Sequence, residues 1–210
     1  MAEVLITLGI IGIIAAMTLP ALITAYQGKS NAIKLKKSLS ALEQAQLRSI
    51  LDGNLLETQY LIAGGVYIRE EHEKFANYFK PYFNVVIDCA VPENSNSLCY
   101  NKDFDKNAVI YQIDGKTKAT ALPDNTFRGF VTDDGTSYFF YAGVSQILID
   151  INSPMNKPNA LGYDVFAFKL NKQGKIVPFK DEDTLNECQT YGLSCAKWAL
   201  LYGDESYTKH

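Results

Sequence analysis

Residues 2–26 read AEVLITLGIIGIIAAMTLPALITAY, and Glu3 is the only charged residue in this stretch. At about 1.5 Å per residue, a helix of this length crosses a hydrocarbon core of about 30 Å. A secretory signal peptide is the alternative, but no basic segment precedes the run, the run is longer than a signal h-region, and no small-x-small cleavage site ends it. The stretch therefore predicts a single-pass transmembrane helix.

The composition of the whole chain divides it between an apolar start and a polar remainder. Its 210 residues allow one ordinary domain with an appended segment. A mean hydropathy of -0.08 averages the two parts. The net charge of -3 offers no basic field to a phosphate backbone, so no nucleic-acid partner is predicted.

The helical pattern continues beyond Tyr26. Apolar residues such as Leu35, Leu39 and Leu42 recur at helical spacing between charged ones, and Gly53 is suited to end the helix. The sequence thus predicts three parts. Residues 1–26 form the transmembrane half of one helix, residues 27–53 form its amphipathic half, and residues 54–210 form a globular α+β domain.

A second helix is predicted within residues 66–83, because four aromatic residues there share one face behind an acidic start. It should end before Pro81 and cover an edge or face of a sheet. His72 stands among three glutamates and is expected to face solvent. The four aromatic residues are Phe75, Tyr78, Phe79 and Tyr82.

From Phe127 onward the apolar pattern has the period of two that strands show. Asp134-Gly135 lies between two such runs and predicts a hairpin, and Gln173-Gly174 predicts another tight turn. About four consecutive antiparallel strands are expected. The predicted fold class is α+β, with a long hydrophobic N-terminal helix packed on a C-terminal antiparallel sheet.

Two features disagree about the side of the membrane on which the globular domain lies. The lysines after the apolar run favour the cytoplasm by the positive-inside rule. Four cysteines in a tyrosine-rich domain favour an oxidising exterior. We give more weight to the cysteines and predict an extracytoplasmic domain, because a basic leader upstream of Met1 would reverse the charge comparison. The lysines are Lys29, Lys34, Lys36 and Lys37.

The four cysteines allow three connectivities. Their spacing favours two local disulfides, Cys89–Cys99 and Cys188–Cys195, each closing a short loop. A zinc site is disfavoured, because neither spacing gives a tight ligand pair and no histidine accompanies them. If the domain were cytoplasmic, free buried thiols would be the alternative.

The loop from Asp150 to Asp164 is rich in oxygen ligands, with Asn152, Asn156 and Asn159 between its ends. Hard oxygen ligands at this density suit calcium, so Asp150, Asn152, Asn159 and Asp164 are candidate calcium ligands. Asx turns are the alternative and explain the same composition, because Asn and Asp side chains bond their own backbone.

Enzymatic signatures are not found in the sequence. It contains no GxSxG, P-loop, HExxH or CxxC pattern, and its two histidines offer little to a catalytic triad. The chain is therefore not expected to be an enzyme.

The N-terminal stretch resembles the first helix of the prepilin family, which comprises type IV pilins and the pseudopilins of type II secretion. The resemblance rests on Glu3 near the head of the run, on the Ile/Leu/Val/Ala/Gly body, and on Pro20 seventeen residues after the glutamate. It implies a pilin-like fold and a protein that leaves the bacterial inner membrane to stack in a filament. It also implies that Glu3 pairs with the N-terminal ammonium of a neighbouring subunit.

The physical chemistry of these residues agrees with that role. A lone carboxylate in hydrocarbon is tolerated when a partner charge or a proton neutralises it, although an interfacial carboxylate capping its own helix is the simpler alternative. Gly12 and Pro20 weaken the helix between them, and the resemblance implies that this segment loses helix on assembly. For Gly9, close packing against other helices in a membrane is an equally good explanation.

This chain departs from the family pattern upstream of Glu3. Family precursors carry a short basic leader that is cut before a phenylalanine, and the new N-terminus is then methylated. Here Met1 stands two residues before Glu3, and we expect it to replace an apolar residue of a longer precursor.

The resemblance also implies the partners and the function. Expected partners are copies of this chain, related pilins or pseudopilins, the inner membrane, a prepilin peptidase and an assembly platform. The expected function is that of a structural subunit of a type II secretion pseudopilus or a type IV pilus-like filament. The alternative is a membrane-tethered extracytoplasmic binding or adhesion domain that does not polymerise, in which Glu3 would be replaceable.

Overall fold

A computed structural model of the chain describes residues 2–54, 69–89, 99, 109–119 and 128–208. Within these ranges the fold is α+β, with one long α-helix and three shorter α-helices packed around an antiparallel sheet. The longer elements are α1 (Ala2–Leu51), α2 (Arg69–Phe79), β1 (Val85–Asp88), β2 (Arg128–Thr132), β3 (Ser137–Tyr141), β4 (Gln146–Asp150), β5 (Val165–Leu170), β6 (Ile176–Pro178), α3 (Leu185–Tyr191) and α4 (Cys195–Tyr202).

Helix α1 has two halves with different surroundings. The described side chains before Gly28 are almost all exposed, whereas the second half buries one face against the globular domain. The helix ends at Leu51, and Gly53 follows in the left-handed region with φ 80°. The predicted continuation of the helix to about residue 53 is confirmed. The buried residues of the second half include Ala32, Leu35, Leu42 and Ala45.

The described strands form a six-stranded antiparallel sheet in the order β1-β2-β3-β4-β5-β6. Asp134-Gly135 makes the predicted turn between β2 and β3, with Gly135 at φ 82°. Gly174 likewise lies in the turn before β6, at φ 73°. The sequence led us to expect about four strands, and the structure adds short ones at both edges. Strand β1 precedes the predicted region and pairs with β2, for example Ile87 with Val131.

Helix α2 covers one face of the sheet through aromatic side chains, as the sequence predicts. The ring of Phe140 on β3 lies 5.2 Å from that of Phe75 and 5.1 Å from that of Phe79. The helix ends at Phe79, before Pro81, and a 3-10 turn over Lys80–Tyr82 follows. The predicted start at residue 66 lies outside the described residues. These rings join the apolar face of α1 in one core.

The prediction that His72 faces solvent is wrong. Only 1% of His72 is exposed, its Nδ1 accepts a hydrogen bond from the Ala142 amide at 2.9 Å, and its ring lies 4.6 Å from that of Tyr141. Its helical position explains the burial, because it shares with Phe75 and Phe79 the face that packs on the sheet. Burial, together with the charge of Arg128, lowers the pKa of His72 to about 4.

Candidate assembly surface

The first half of α1 presents apolar side chains that nothing in the described chain covers. Val4 is 61% exposed and Met17 is 76% exposed. Two threonines in this half satisfy their hydroxyls within the helix, since Thr7 Oγ1 donates to the Val4 carbonyl and Thr18 Oγ1 to the Ile14 carbonyl, both at 3.0 Å. By length and composition, α1 can cross a membrane, and it is the one described helix that passes this test.

The three sequence-predicted assembly residues all lie in this exposed half. Glu3 belongs to the first turn of α1, but its side chain lies outside the described part of the chain. Gly12 has open space around it, with nothing within 4 Å of the position a Cβ would take. Pro20 lies inside the continuous helix and removes one helical N–H donor. The isolated chain therefore keeps its helix through Pro20.

The C-terminal segment holds α1 where the helix leaves the globular domain. Glu205 Oε1 accepts a hydrogen bond from Asn31 Nδ2 at 2.9 Å, and Tyr163 lies beside this carboxylate. Gly28 makes the close approach possible, because a Cβ there would lie 3.0 Å from Glu205 Cγ. Burial, aided by the charges of Asp164 and Asp204, raises the pKa of Glu205. We call Gly28, Asn31 and Glu205 the helix clip.

A second set of contacts holds α1 to the β2–β3 hairpin. Lys37 Nζ lies 2.7 Å from Asp134 Oδ2. The Asp134 carboxylate also accepts hydrogen bonds from the Thr132 hydroxyl and the Thr136 amide, and together with Lys37 these donors outweigh burial and lower its pKa. At the next residue of the helix, Tyr138 Oη donates to the Ser38 carbonyl at 3.1 Å. The second half of α1 is thus fixed to the sheet by polar as well as apolar contacts.

The structure contains the two local disulfides that the cysteine spacing favours. Cys89 is joined to Cys99 and Cys188 to Cys195, and the described chain has no free cysteine. Cys188 and Cys195 are fully buried in the core that α1 and α2 also enter. This disulfide ties α3 to the first residue of α4. It therefore fixes the two helices that precede Glu205 of the helix clip.

The predicted calcium ligands come together around Asp164, but hydrogen-bond donors already surround that carboxylate. Its oxygens accept from the Ala160 amide at 2.7 Å, from the Asn159 amide at 3.0 Å and from Asn152 Nδ2 at 3.2 Å. Asp150 Oδ1 accepts from the Asn152 amide at 3.0 Å, which is an Asx-turn contact. Burial raises the pKa of Asp164, opposed by these donors. As arranged, Asp164 holds N–H groups rather than a cation.

Two side-chain amide oxygens in this loop take no part in its hydrogen bonds. Asn152 Oδ1 and Asn159 Oδ1 are buried and accept no hydrogen bond. Within the described residues, no group of three or more His, Cys, Asp or Glu side chains is close enough to hold a metal ion. Calcium binding by this loop stays a prediction from the sequence.

The arrangement defines a class of protein: an α+β domain held on the second half of one long helix whose first half is apolar and exposed. Comparison with protein-family models, with curated proteins and with solved structures found no match for this chain. Its function must therefore be argued from its own residues.

Proposed function

We propose that this protein is a structural subunit of a filament of the type IV pilus or type II secretion pseudopilus kind, assembling through α1. The observation that carries the proposal is the division of α1 at Gly28. A helix with one uncovered apolar half and one half packed on its own domain needs a second environment for the first half. A membrane supplies that environment before assembly, and the helices of neighbouring subunits supply it afterwards.

Glu3 has a defined task in this proposal. A carboxylate close to the head of an apolar helix is expensive in hydrocarbon unless a positive charge neutralises it. The N-terminal ammonium of a neighbouring subunit is such a charge, and pairing with it fixes the axial register of one helix against the next. Gly12 and Pro20 supply the weak segment that allows α1 to lengthen during assembly.

The globular domain lies outside the cytoplasm in this proposal. Its two disulfides suit an oxidising compartment and stabilise it there. The function is mechanical rather than catalytic, since the domain is carried outward as the filament grows. The partners are copies of this chain and related subunits, with a prepilin peptidase and an assembly platform acting on the membrane-bound form.

The test is a filament assay in the source organism. The reading frame is expressed with its upstream codons, surface fibres are sheared off, and the wild type is compared with Glu3→Gln and Glu3→Ala. Glu43→Gln is the matched control, because Glu43 is exposed on the packed half of the same helix and the substitution removes the same charge. Wild type and Glu43→Gln should enter fibres, whereas both Glu3 variants should stay in the membrane.

Two outcomes would contradict the proposal. If the wild type remains a membrane-bound monomer while the assembly machinery makes fibres from other subunits, the tethered binding domain is the better account. If Glu3→Ala enters fibres as efficiently as the wild type, the protein polymerises without charge pairing, and Glu3 is an interfacial helix cap.

A further inference from the structure

We infer that lysines following the apolar half of α1 bind the headgroups of anionic phospholipids. Residues 27–40 contain four lysines and no acidic residue, whereas the whole chain has a net charge of -3. Lys29 and Lys34 are both exposed on α1. The inference rests on the membrane-bound form in the proposed function and adds a lipid partner to it, but it does not depend on polymerisation.

Two of the four lysines are available to a partner. Lys37 is already paired with the β2–β3 hairpin. Lys36 is directed toward the end of α4, since its Nζ would lie 3.7 Å from a Cβ at Gly203. Within the described part of the chain, Lys29 and Lys34 form no ion pair. Their charges therefore remain for a partner outside the chain.

Distances along α1 place these two charges next to a bilayer. A helix that enters the hydrocarbon core at Glu3 crosses about 30 Å in about 20 residues, so the core ends near Leu22. Tyr26 then lies about 6 Å beyond the core, in the headgroup layer that tyrosine rings favour. Lys29 lies about 10 Å beyond the core, and Lys34 about 7.5 Å further, which is less than the Debye length of about 8 Å.

The direction of helical side chains brings the two ammonium groups closer to the membrane. Side chains on an α-helix lean toward its N-terminus, which for α1 is the membrane end. The long, flexible stem of lysine lets the ammonium group reach the level of the phosphates. Lys29 can therefore contact headgroups directly, and Lys34 adds to the attraction.

An anionic phospholipid is the occupant that charge and position favour. The positive-inside rule gives no reason for lysines here, because the proposed function places this end of the apolar half outside the cytoplasm. Basic residues beside a membrane helix attract anionic lipids. The carboxylate of Glu205 does not take this place, because it contacts Gly28 and Asn31 on the side of α1 that packs on the domain.

Quenching by brominated lipids tests the inference on the full chain. Leu22→Trp places a fluorophore one turn deeper than Tyr26 on the same face of α1, where Leu22 is 67% exposed. The protein is reconstituted in vesicles of phosphatidylcholine with one quarter of phosphatidylglycerol. In separate samples, equal amounts of one lipid or the other are replaced by the form brominated in its acyl chains. The native Trp198 lies on α4 in the globular domain, and the chain without Leu22→Trp measures its background.

Brominated phosphatidylglycerol should quench the new tryptophan more than brominated phosphatidylcholine does. The difference should correspond to a roughly fivefold preference for the anionic lipid beside the helix. Combining Lys29→Gln with Lys34→Gln should remove the preference, and high salt should weaken it. Combining Lys29→Arg with Lys34→Arg should retain it, because the positive charges are kept.

The matched control removes two lysine charges far from the bilayer. Lys172 and Lys175 are exposed in the turn between β5 and β6. Gln46 Nε2 donates to the Gly174 carbonyl, so this turn lies at a level of α1 about 36 Å beyond Leu22. Combining Lys172→Gln with Lys175→Gln should leave the lipid preference unchanged. Circular dichroism verifies that each variant is folded.

Equal quenching by the two brominated lipids overturns the inference and leaves the proposed function standing. The inference is also overturned if the preference survives in the Lys29 and Lys34 glutamine pair, or if the control pair lowers it equally. If neither lipid quenches the new tryptophan, α1 does not enter the bilayer, and the membrane-bound form in the proposed function fails together with the inference.

Discussion

Asn31 Nδ2 donates a hydrogen bond of 2.9 Å to the carboxylate of Glu205, joining residues 174 positions apart in the chain. This bond forms where α1 leaves the globular domain, and Tyr163 is a neighbour of the carboxylate. Gly28 lets the Glu205 side chain lie directly on the helix backbone. The helix clip is therefore a tertiary contact between the two ends of the chain.

We expect Glu205→Gln to be tolerated, because the amide oxygen keeps the bond to Asn31 without burying a charge beside Asp164 and Asp204. Glu205→Ala should lower the free energy of unfolding by about 1–3 kcal/mol, since it leaves Asn31 without this partner. Urea unfolding of the full chain in detergent at pH 7 measures both variants. A Glu205→Gln variant as unstable as Glu205→Ala would show that the charge itself is required.

The pH dependence of this contact follows from the raised pKa of Glu205. At pH values between the unfolded and folded pKa of Glu205, the folded state binds more protons than the unfolded state. Protonation of Glu205 therefore stabilises the fold fully below the unfolded pKa, and this stabilisation is lost as the pH rises through the folded pKa. The wild type should therefore gain stability at this site as the pH falls from 7 toward about 4.5. Glu205→Gln should lack that part of the slope in urea titrations across this range.

His72 should give a slope of the opposite sign. Its pKa of about 4 in the folded protein lies below the usual value of 6.5, so the unfolded state binds more protons between these limits. Stability should fall by up to about 3 kcal/mol as the pH is lowered from 6.5 to 4. His72→Asn places an amide oxygen near the position of Nδ1, keeps an acceptor for the Ala142 amide, and should abolish this slope.

The comparison variant for this prediction is His72→Phe. It retains the ring but leaves the buried Ala142 amide without its acceptor, so it should be less stable than His72→Asn at pH 7. Equal stability of the two variants would contradict the role assigned to Nδ1. A wild-type slope that persists in both would mean that another group is responsible.

Asp164→Asn should lower the free energy of unfolding by about 2–3 kcal/mol, because the carboxylate accepts three hydrogen bonds in a fully buried position. The loss should be the same in EDTA and in excess calcium if the loop is held by its own N–H donors. Thermal unfolding in both buffers measures this. A wild-type protein that calcium stabilises by several degrees would show instead that the Asn152 and Asn159 oxygens bind the ion.

Replacing Cys188 and Cys195 together by alanine should lower the free energy of unfolding by about 2–4 kcal/mol. Both residues are fully buried, and the Leu161–Gly162 loop rests on Cys195, so a loss of packing adds to the loss of the crosslink. The double serine variant should be less stable still, because two hydroxyls would be buried without defined partners. Chemical denaturation ranks the three proteins, and equal stability of the alanine and serine pairs would contradict this account.

Local patterns in the sequence predict the parts of the fold that depend on local chemistry. The extent of α1 follows from a periodicity sustained over many turns and ended by Gly53, and the β2–β3 hairpin follows from Asp134-Gly135. Strand β1 was not predicted, because it is four residues long and is fixed by pairing with β2, far along the chain. Its alternation is too short to be distinguished from a loop.

Sequence patterns also mislead about burial where a buried residue stands between charged neighbours in the chain. The glutamates beside His72 suggest a solvated histidine, whereas its spacing from Phe75 and Phe79 places it on the buried face. The contact between Asn31 and Glu205 in the helix clip has no local signal in the sequence, since it joins segments from distant parts of the chain. Gly28 is the one residue of the clip that departs from the surrounding helix pattern.

The position of the helix clip also determines how far the first half of α1 extends from the globular domain. Residues 2–27 precede the clip, and as a helix they extend about 39 Å. A bilayer core of about 30 Å leaves roughly the depth of one headgroup layer between the lipid tails and the clip. In the proposed membrane-bound form, the globular domain therefore lies on the membrane surface without a flexible linker. In that form, a force that pulls on the domain acts directly on the first half of α1, and a force that lifts this half of the helix moves the domain with it.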